Sequence, residues 1–205
     1  MRIRFYALWL SLICVIIFAL QLAVPGLTDL FLLNSSFPFE IWRFVTAIFL
    51  HGSLAHLISN LFALALFGTI LEFVIGSRRF LIVFSVSGIV ANLVAINFYN
   101  SSLGASGAIY GVLGTLVVLM PLMIVWVYGL PMPLFAAGIF WVGASVLGLF
   151  APSDIGDIAH LSGIAVGFIF GIIYRTKKEN IKGERINLNE RYLRSWEDSK
   201  MRNYN

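Results

Sequence analysis

Apolar residues in this chain run in long blocks, separated by short breaks rich in glycine, proline and polar side chains. A helix needs about 20 apolar residues, within a range of roughly 17–25, to cross the hydrocarbon core of a bilayer. Six blocks meet that requirement, at roughly 5–24, 57–75, 80–96, 106–126, 134–151 and 158–174. The breaks between the later blocks carry turn or polar signals: Gly76-Ser77-Arg78-Arg79, Asn97 to Gly104, Tyr128 to Pro133, and Pro152 to Asp157. The pattern predicts an all-α polytopic membrane protein, a bundle of six transmembrane helices with both termini on the same side.

One connection is unlike the others. About thirty residues, from Pro25 to Ala55, separate the first and second spans, which is long for a loop in a compact domain. Its second half holds Phe37, Phe39, Ile41, Trp42, Phe44, Val45, Ile48 and Phe49 and is too apolar to sit in water. We expect it to associate with the membrane, on its surface or dipping in from outside. Trp42 suits an interfacial position, and Arg43 beside it reaches headgroups or backbone carbonyls. Anchoring explains this pair better than catalysis.

Composition agrees with lipid as the solvent. The chain is 60% hydrophobic and 12% charged, far from the balance of soluble domains, and from Phe80 to Ser153 it has no Asp, Glu, Lys or Arg. No soluble catalytic domain is in view, so any chemistry belongs to a membrane domain over 1–174, followed by a tail over 175–205. The N-terminal run exceeds the usual signal-peptide core and reads as a retained span. The single cysteine, Cys14, lies in that run and forms no intrachain disulfide.

Charge sets the orientation. Arg2, Arg4, Arg78, Arg79 and the nine basic residues from Arg175 onward share one side, and Arg43 stands alone on the other. By the positive-inside rule the shared side, with both termini, is the cytoplasm. The tail carries nine basic and five acidic residues, an excess equal to the formal net charge of +4. It reads as a solvated segment that fixes topology, with anionic headgroups as the alternative contact. Nothing beyond this tail's basicity points to nucleic acid, so no nucleic-acid partner is expected.

Polar residues at membrane depth are costly and therefore informative. His56, Asn60, Glu72, Asn92, Ser106, Tyr110 and His160 are the chief ones. The second, fourth and sixth spans all enter from the external side, and His56/Asn60, Ser106/Tyr110 and His160 lie near those entry ends at a similar shallow depth. The fourth span opens with Gly104-Ala105-Ser106-Gly107. A serine at a helix start has open backbone N–H groups and the positive dipole end beside it, which suit an oxyanion, and the glycines admit a substrate backbone. A serine needs a base, and His160 is the only histidine in the later spans. Gly163, Gly167 and Gly171 follow it at helical spacing, opposite Gly107, Gly111 and Gly114 of the fourth span. Two such stripes let helix backbones pack closely, which would bring His160 to Ser106 and set Tyr110 against the imidazole. Taken alone, His160 could equally be a hydrogen bond of the bundle; with G-x-S-G and the stripes, catalysis is the stronger reading.

These residues resemble the rhomboid intramembrane serine proteases. The resemblance is carried by Trp42-Arg43, His51-Gly-Ser-Leu-Ala-His56-Leu-Ile-Ser-Asn60, Glu72 with Gly76, Gly104-Ala-Ser106-Gly107-Ala-Ile-Tyr110-Gly111 and Ala159-His160-Leu-Ser-Gly163-Ile-Ala-Val-Gly167, over about residues 37–171. It implies a rhomboid-like bundle in which Ser106 is the nucleophile and His160 the general base of a dyad. Tyr110 packs on the histidine, while His56 and Asn60 join the Ser106 backbone N–H in an oxyanion hole. It further implies that His51 braces the first loop and that Glu72 bonds near the inner end of the second span. Helical spacing agrees in part: His56 and Asn60 share a face, and Glu72, twelve residues beyond Asn60, is far from Ser106 and structural. Asp157, three residues before His160, reads as a loop acid or helix N-cap and not as a third catalytic member.

The expected activity is hydrolysis of peptide bonds in or near transmembrane helices of membrane protein substrates, which by resemblance enter past the fifth span. Water reaches the site from outside, and the short Pro152–Asp157 cap holds Gly156, which would let it lift. Membrane protein substrates and the lipid bilayer are the expected partners, and no cofactor or metal is expected. A metal site built from His51, His56 and His160 is the weaker rival, since no H-E-x-x-H and no nearby carboxylate base accompany them. The other rival is a non-catalytic relative that binds and routes membrane proteins; such relatives generally lose the serine or histidine, and both are present. The compact form without a targeting extension resembles prokaryotic plasma-membrane enzymes, with the site open to the external side.

Overall fold

The computed structural model describes residues 3–127, 129–150 and 156–202, and in the tail beyond Thr176 chiefly the backbone. The first apolar block forms α1 (Tyr6–Ala23). The long connection folds into α2 (Leu27–Phe31), the short strand β1 (Leu33–Asn34), α3 (Arg43–Thr46) and a 3-10 turn at Ala47–Phe49. Arg43 organises it. Its guanidinium is buried, donates to the carbonyls of Asp29 at 2.7 Å and Leu32 at 2.8 Å, pairs with Glu40, and lies over the Phe37 ring. Of the two partners foreseen for this arginine, backbone carbonyls are the ones it has here. Phe39, Ile41 and Trp42 remain exposed, the apolar face that a membrane surface would cover.

The second span is a single rod made of α4 (Leu54–Ala63), a π-helical stretch at Leu64–Gly68, and α5 (Thr69–Ile75). Ser53 caps its start by accepting the His56 backbone N–H at 3.1 Å. Gly76 then takes φ 89, a conformation that side chains disfavour, and the chain reverses into α6 (Ser77–Ala95). Beyond it, β2 (Ser101–Ser102) pairs antiparallel with β1, matching Leu33 to Ser102 and Asn34 to Ser101. This ladder ties the first loop to the segment that enters α7 (Ser106–Leu119).

Here the structure departs from the sequence reading. The block at 106–126 is not one helix: α7 ends at Leu119, and Pro121 explains why, because its ring lacks an N–H and pushes Met120 out of helical geometry. Met120 indeed sits at φ −137, ψ 55. The β-branched and aromatic residues that follow form β3 (Ile124–Val127), paired with β4 (Leu130–Pro133) from Ile124↔Pro133 to Val127↔Leu130. The fifth block folds as α8 (Leu134–Gly148). With 14 and 15 residues, α7 and α8 reach about 21 and 22 Å at ~1.5 Å per residue, less than the hydrocarbon core of about 30 Å. Among the described residues, four helices are long and apolar enough to cross by themselves: Tyr6–Ala23, Leu54–Ile75, Ser77–Ala95 and Asp157–Thr176. The all-α class stands, with two small ladders added, and the lengths account for four of the six spans. The last helix, α9 (Asp157–Arg202), runs 46 residues and continues past 174 into the tail. Of the expected cap, Pro152–Ile155 lies outside the described residues.

The core centres on α7, whose Ala108, Ile109, Val112, Leu113 and Leu116 are buried among α6, α9 and the second span. The glycine stripes meet directly. A Cβ added at Gly163 would stand 2.0 Å from the Gly107 carbonyl oxygen, and one at Gly167 would stand 2.1 Å from that of Gly111, so α7 and α9 touch backbone to backbone. Thr115 bridges the same contact, donating to Gly111 O at 2.9 Å and Gly167 O at 3.0 Å. Far from this end, the fully buried Glu72 carboxylate accepts from Ser77 Oγ at 2.6 Å, Ala7 N at 3.1 Å and Arg4 N at 3.3 Å. It thereby caps the start of α1 from a neighbouring span, satisfying N–H groups that α1 itself cannot.

Candidate active site

A backbone contact and a glycine place the serine. Gly104 N donates to Ala47 O at 2.8 Å, which pins the entry to α7 against the first loop. The glycine also holds φ 123, and a Cβ there would lie 2.6 Å from the His56 ring and 3.7 Å from Asn60 Nδ2. Glycine is thus required at 104 twice, for conformation and for space. Ser106 begins α7, where the first N–H groups of the helix lack intrahelical partners.

His160 arrives on α9, and the glycine contact between helices sets its distance. Ser106 Oγ and His160 Nε2 are hydrogen-bonded at 2.8 Å. Tyr110, one turn along α7, stacks on the imidazole with centroids 4.2 Å apart and planes 3° apart, leaving the ring one plane in which to lie. A serine hydroxyl hydrogen-bonded to a clamped imidazole, at a helix start, can lose its proton as it attacks a carbonyl.

On the facing span the polar residues brace one another. Asn60 Nδ2 donates to His51 Nε2 at 3.0 Å, which leaves the second amide hydrogen for another acceptor. The rings of His51 and His56 meet edge to face at 5.1 Å. Burial and the neighbouring His56 push His51, which lies in the loop before the second span, down to about pKa 4, with the Phe49 carbonyl opposing. His51 is therefore neutral at ordinary pH and able to accept. Gln21 of α1 holds this loop from both sides, accepting from His51 N at 3.0 Å and donating to His51 O at 3.2 Å.

These groups share a cavity of about 1680 Å³ that runs from His56, Asn60, Ser106 and His160 along the second span to Trp141 and strand β3. Its lining joins these polar groups to apolar residues such as Leu66, Phe67, Ile70 and Trp141. Phe67, in the π-helical stretch, meets Trp141 of α8 edge to face at 5.9 Å, on the side toward the fifth block. Among the described residues no group of three His, Cys, Asp or Glu side chains converges as a metal would need.

The structure thus gathers Ser106, His160, Tyr110, His56, Asn60, His51, Gly104 and Gly107 at one level, and places Trp42, Arg43 and Glu72 away from it. It also shows what sequence reasoning missed. Gln21 supports the site, and its signal was plain, a side-chain amide inside an apolar run. Tyr99 accepts the Ile158 N–H at 3.1 Å and so caps α9, a contact without a sequence signal. Asp157, read as a boundary acid, is buried, with Oδ1 4.0 Å from His160 Nδ1.

A membrane helical bundle with a serine and a histidine joined across two glycine-packed helices defines a class of protein. The profile of the rhomboid domain matches residues 38–177, and the chain belongs to the rhomboid family. It is an integral membrane protein. Over 144 residues it is 35% identical to the putative rhomboid protease YdcA of Bacillus subtilis (strain 168), covering 68% of this chain and 70% of that protein. Rhomboid protease GluP of the same organism is 34% identical over 152 residues, 72% of this chain but 29% of GluP. Rhomboid protease GlpG of Haemophilus influenzae is 27% identical over 143 residues, covering 69% of this chain and 73% of that protein.

Proposed function

We propose that this chain is an intramembrane serine endopeptidase that hydrolyses peptide bonds in or near transmembrane helices of membrane protein substrates. The observation that carries the reading is the 2.8 Å Ser106–His160 bond with Tyr110 stacked on the imidazole. Ser106 Oγ attacks the substrate carbonyl carbon while His160 Nε2 takes its proton, then returns it to the leaving amine. The Ser106 N–H at the start of α7, Asn60 Nδ2 and His56 stabilise the oxyanion. His51 holds the Asn60 amide for that purpose, and Gly104 leaves the approach clear. Water then hydrolyses the acyl-enzyme, with His160 acting as base a second time. The substrate segment lies in the apolar cavity, helical where the walls are greasy and unwound beside the dyad, because buried amides in lipid otherwise stay hydrogen-bonded. The positive-inside argument puts the site toward the external face and both termini in the cytoplasm.

The test is cleavage of a transmembrane-helix reporter in liposomes. Ser106→Ala and His160→Ala each lower kcat by at least about 10³-fold, with retention on gel filtration unchanged and chelators without effect. Activity that survives Ser106→Ala would sink the mechanism. A silent wild type that still captures membrane proteins would favour the routing role.

A further inference from the structure

We propose that Asp157 is a positioning residue for the His160 base and that a notch at Gly148 on α8 sets its place; the inference rests on the proteolytic reading. With Nε2 accepting from Ser106, the neutral imidazole carries its hydrogen on Nδ1. That atom is buried and has no hydrogen-bond partner among the described residues. Asp157 Oδ1 lies 4.0 Å away, one turn earlier on α9, and the aspartate is itself only 5% exposed.

At that distance the carboxylate makes no hydrogen bond to the neutral ring. Once His160 has taken the Ser106 proton the ring is a cation, and the two groups become a buried ion pair. The attraction exists only in the state that proton transfer creates, so it lowers the barrier without stabilising the resting enzyme. Proton balance is simple: the Ser106 proton moves to Nε2, the Nδ1 hydrogen stays, and no proton passes to Asp157. Among the described residues, Ser106 and Tyr110 from α7 face the ring, and His56 from α4 and Tyr99 from the turn after α6 line the same cavity. Asp157 is the one carboxylic acid among these described groups.

The end of α8 holds the carboxylate there. A Cβ added at Gly148 would lie 2.1 Å from Asp157 Oδ2 and 2.6 Å from its Cγ. The side chain rests on the bare backbone of α8, and no larger residue fits at 148 without moving it. The end of α8 and the catalytic base are thereby coupled through one carboxylate.

The experiment uses the full-length protein in liposomes, measuring kcat and KM for the reporter across about pH 5–9. A second readout, free of substrate choice, is the rate at which a fluorophosphonate labels Ser106. Asp157→Asn lowers kcat about tenfold or more, leaves KM unchanged, slows labelling, and moves the acid limb of the profile to lower pH. Gly148→Ala does the same alone, yet costs nothing further in an Asp157→Ala background, where no carboxylate is left to displace. Wild-type kcat and pH profile in Asp157→Asn overturn the proposal. So does a loss of kcat with an unmoved profile, or a Gly148→Ala effect that persists without the carboxylate. Cleavage surviving Ser106→Ala brings down the proteolytic reading and this one with it, and wild-type labelling at Ser106 tells that failure from a failure of the Asp157 coupling alone.

Discussion

His51 shows how one residue links chemistry to pH. Folded, it protonates near pH 4; unfolded, it does so near its ordinary 6.5. Between those values the unfolded chain binds the extra proton, so stability rises with pH there. The contribution of His51 is complete above about 6.5 and is lost as pH falls toward 4. Thermal unfolding of the wild type should therefore drop across that window, and the slope should flatten in His51→Gln. Protonation also removes the acceptor that orients Asn60, so a loss of kcat accompanies it. Gly104 makes a sharper case. Gly104→Ala drives a Cβ to within 2.6 Å of His56 and strains a backbone at φ 123, a cost of about 1–3 kcal/mol for the backbone alone. We expect kcat to fall by about 10²-fold while circular dichroism stays helical.

Among helices, the contact between α7 and α9 is the element on which the dyad depends. Gly163→Ala places a Cβ 2.0 Å from the Gly107 carbonyl oxygen, which must push the helices apart. It should destabilise by about 1–3 kcal/mol and lengthen the Ser106–His160 distance enough to abolish cleavage. Gly143→Ala on α8 is the control, since a Cβ there meets nothing within 4 Å; melting temperature and kcat should stay at wild-type values or rise slightly. The glycine stripes were readable in the sequence because helical periodicity alone puts Gly163 and Gly167 on one face. The end of α7 was harder to read, because Ile124 to Val127 is as apolar as a helix and hydropathy does not distinguish a hairpin from two more turns. Pro121 was the available signal. The burial of Asp157 had no signal, because its neighbour Gly148 comes from another helix and only the fold brings them together.

For the molecule as a whole, lipid explains what faces outward. Leu22, Phe62, Ile139, Leu147, Phe150 and Ile169 are exposed, as expected where the surrounding solvent is hydrocarbon. The sequence makes this legible through its missing charges, whereas the unbroken continuation of α9 to Arg202 is not visible in hydropathy. The cap that Glu72 places on α1 has a consequence for assembly. Sixty-five residues separate Ala7 from Glu72, so during synthesis α1 is made well before its cap exists. A lone carboxylate at membrane depth is costly, and the open N–H groups of α1 are its ready partners. We expect the first two spans to pair early in assembly, and exchange of the Ala7 amide hydrogen with solvent to report on their docking. In Glu72→Gln that exchange should quicken and thermal stability should fall by about 1–3 kcal/mol, while α7 and α9, whose contact needs no carboxylate, keep their protection.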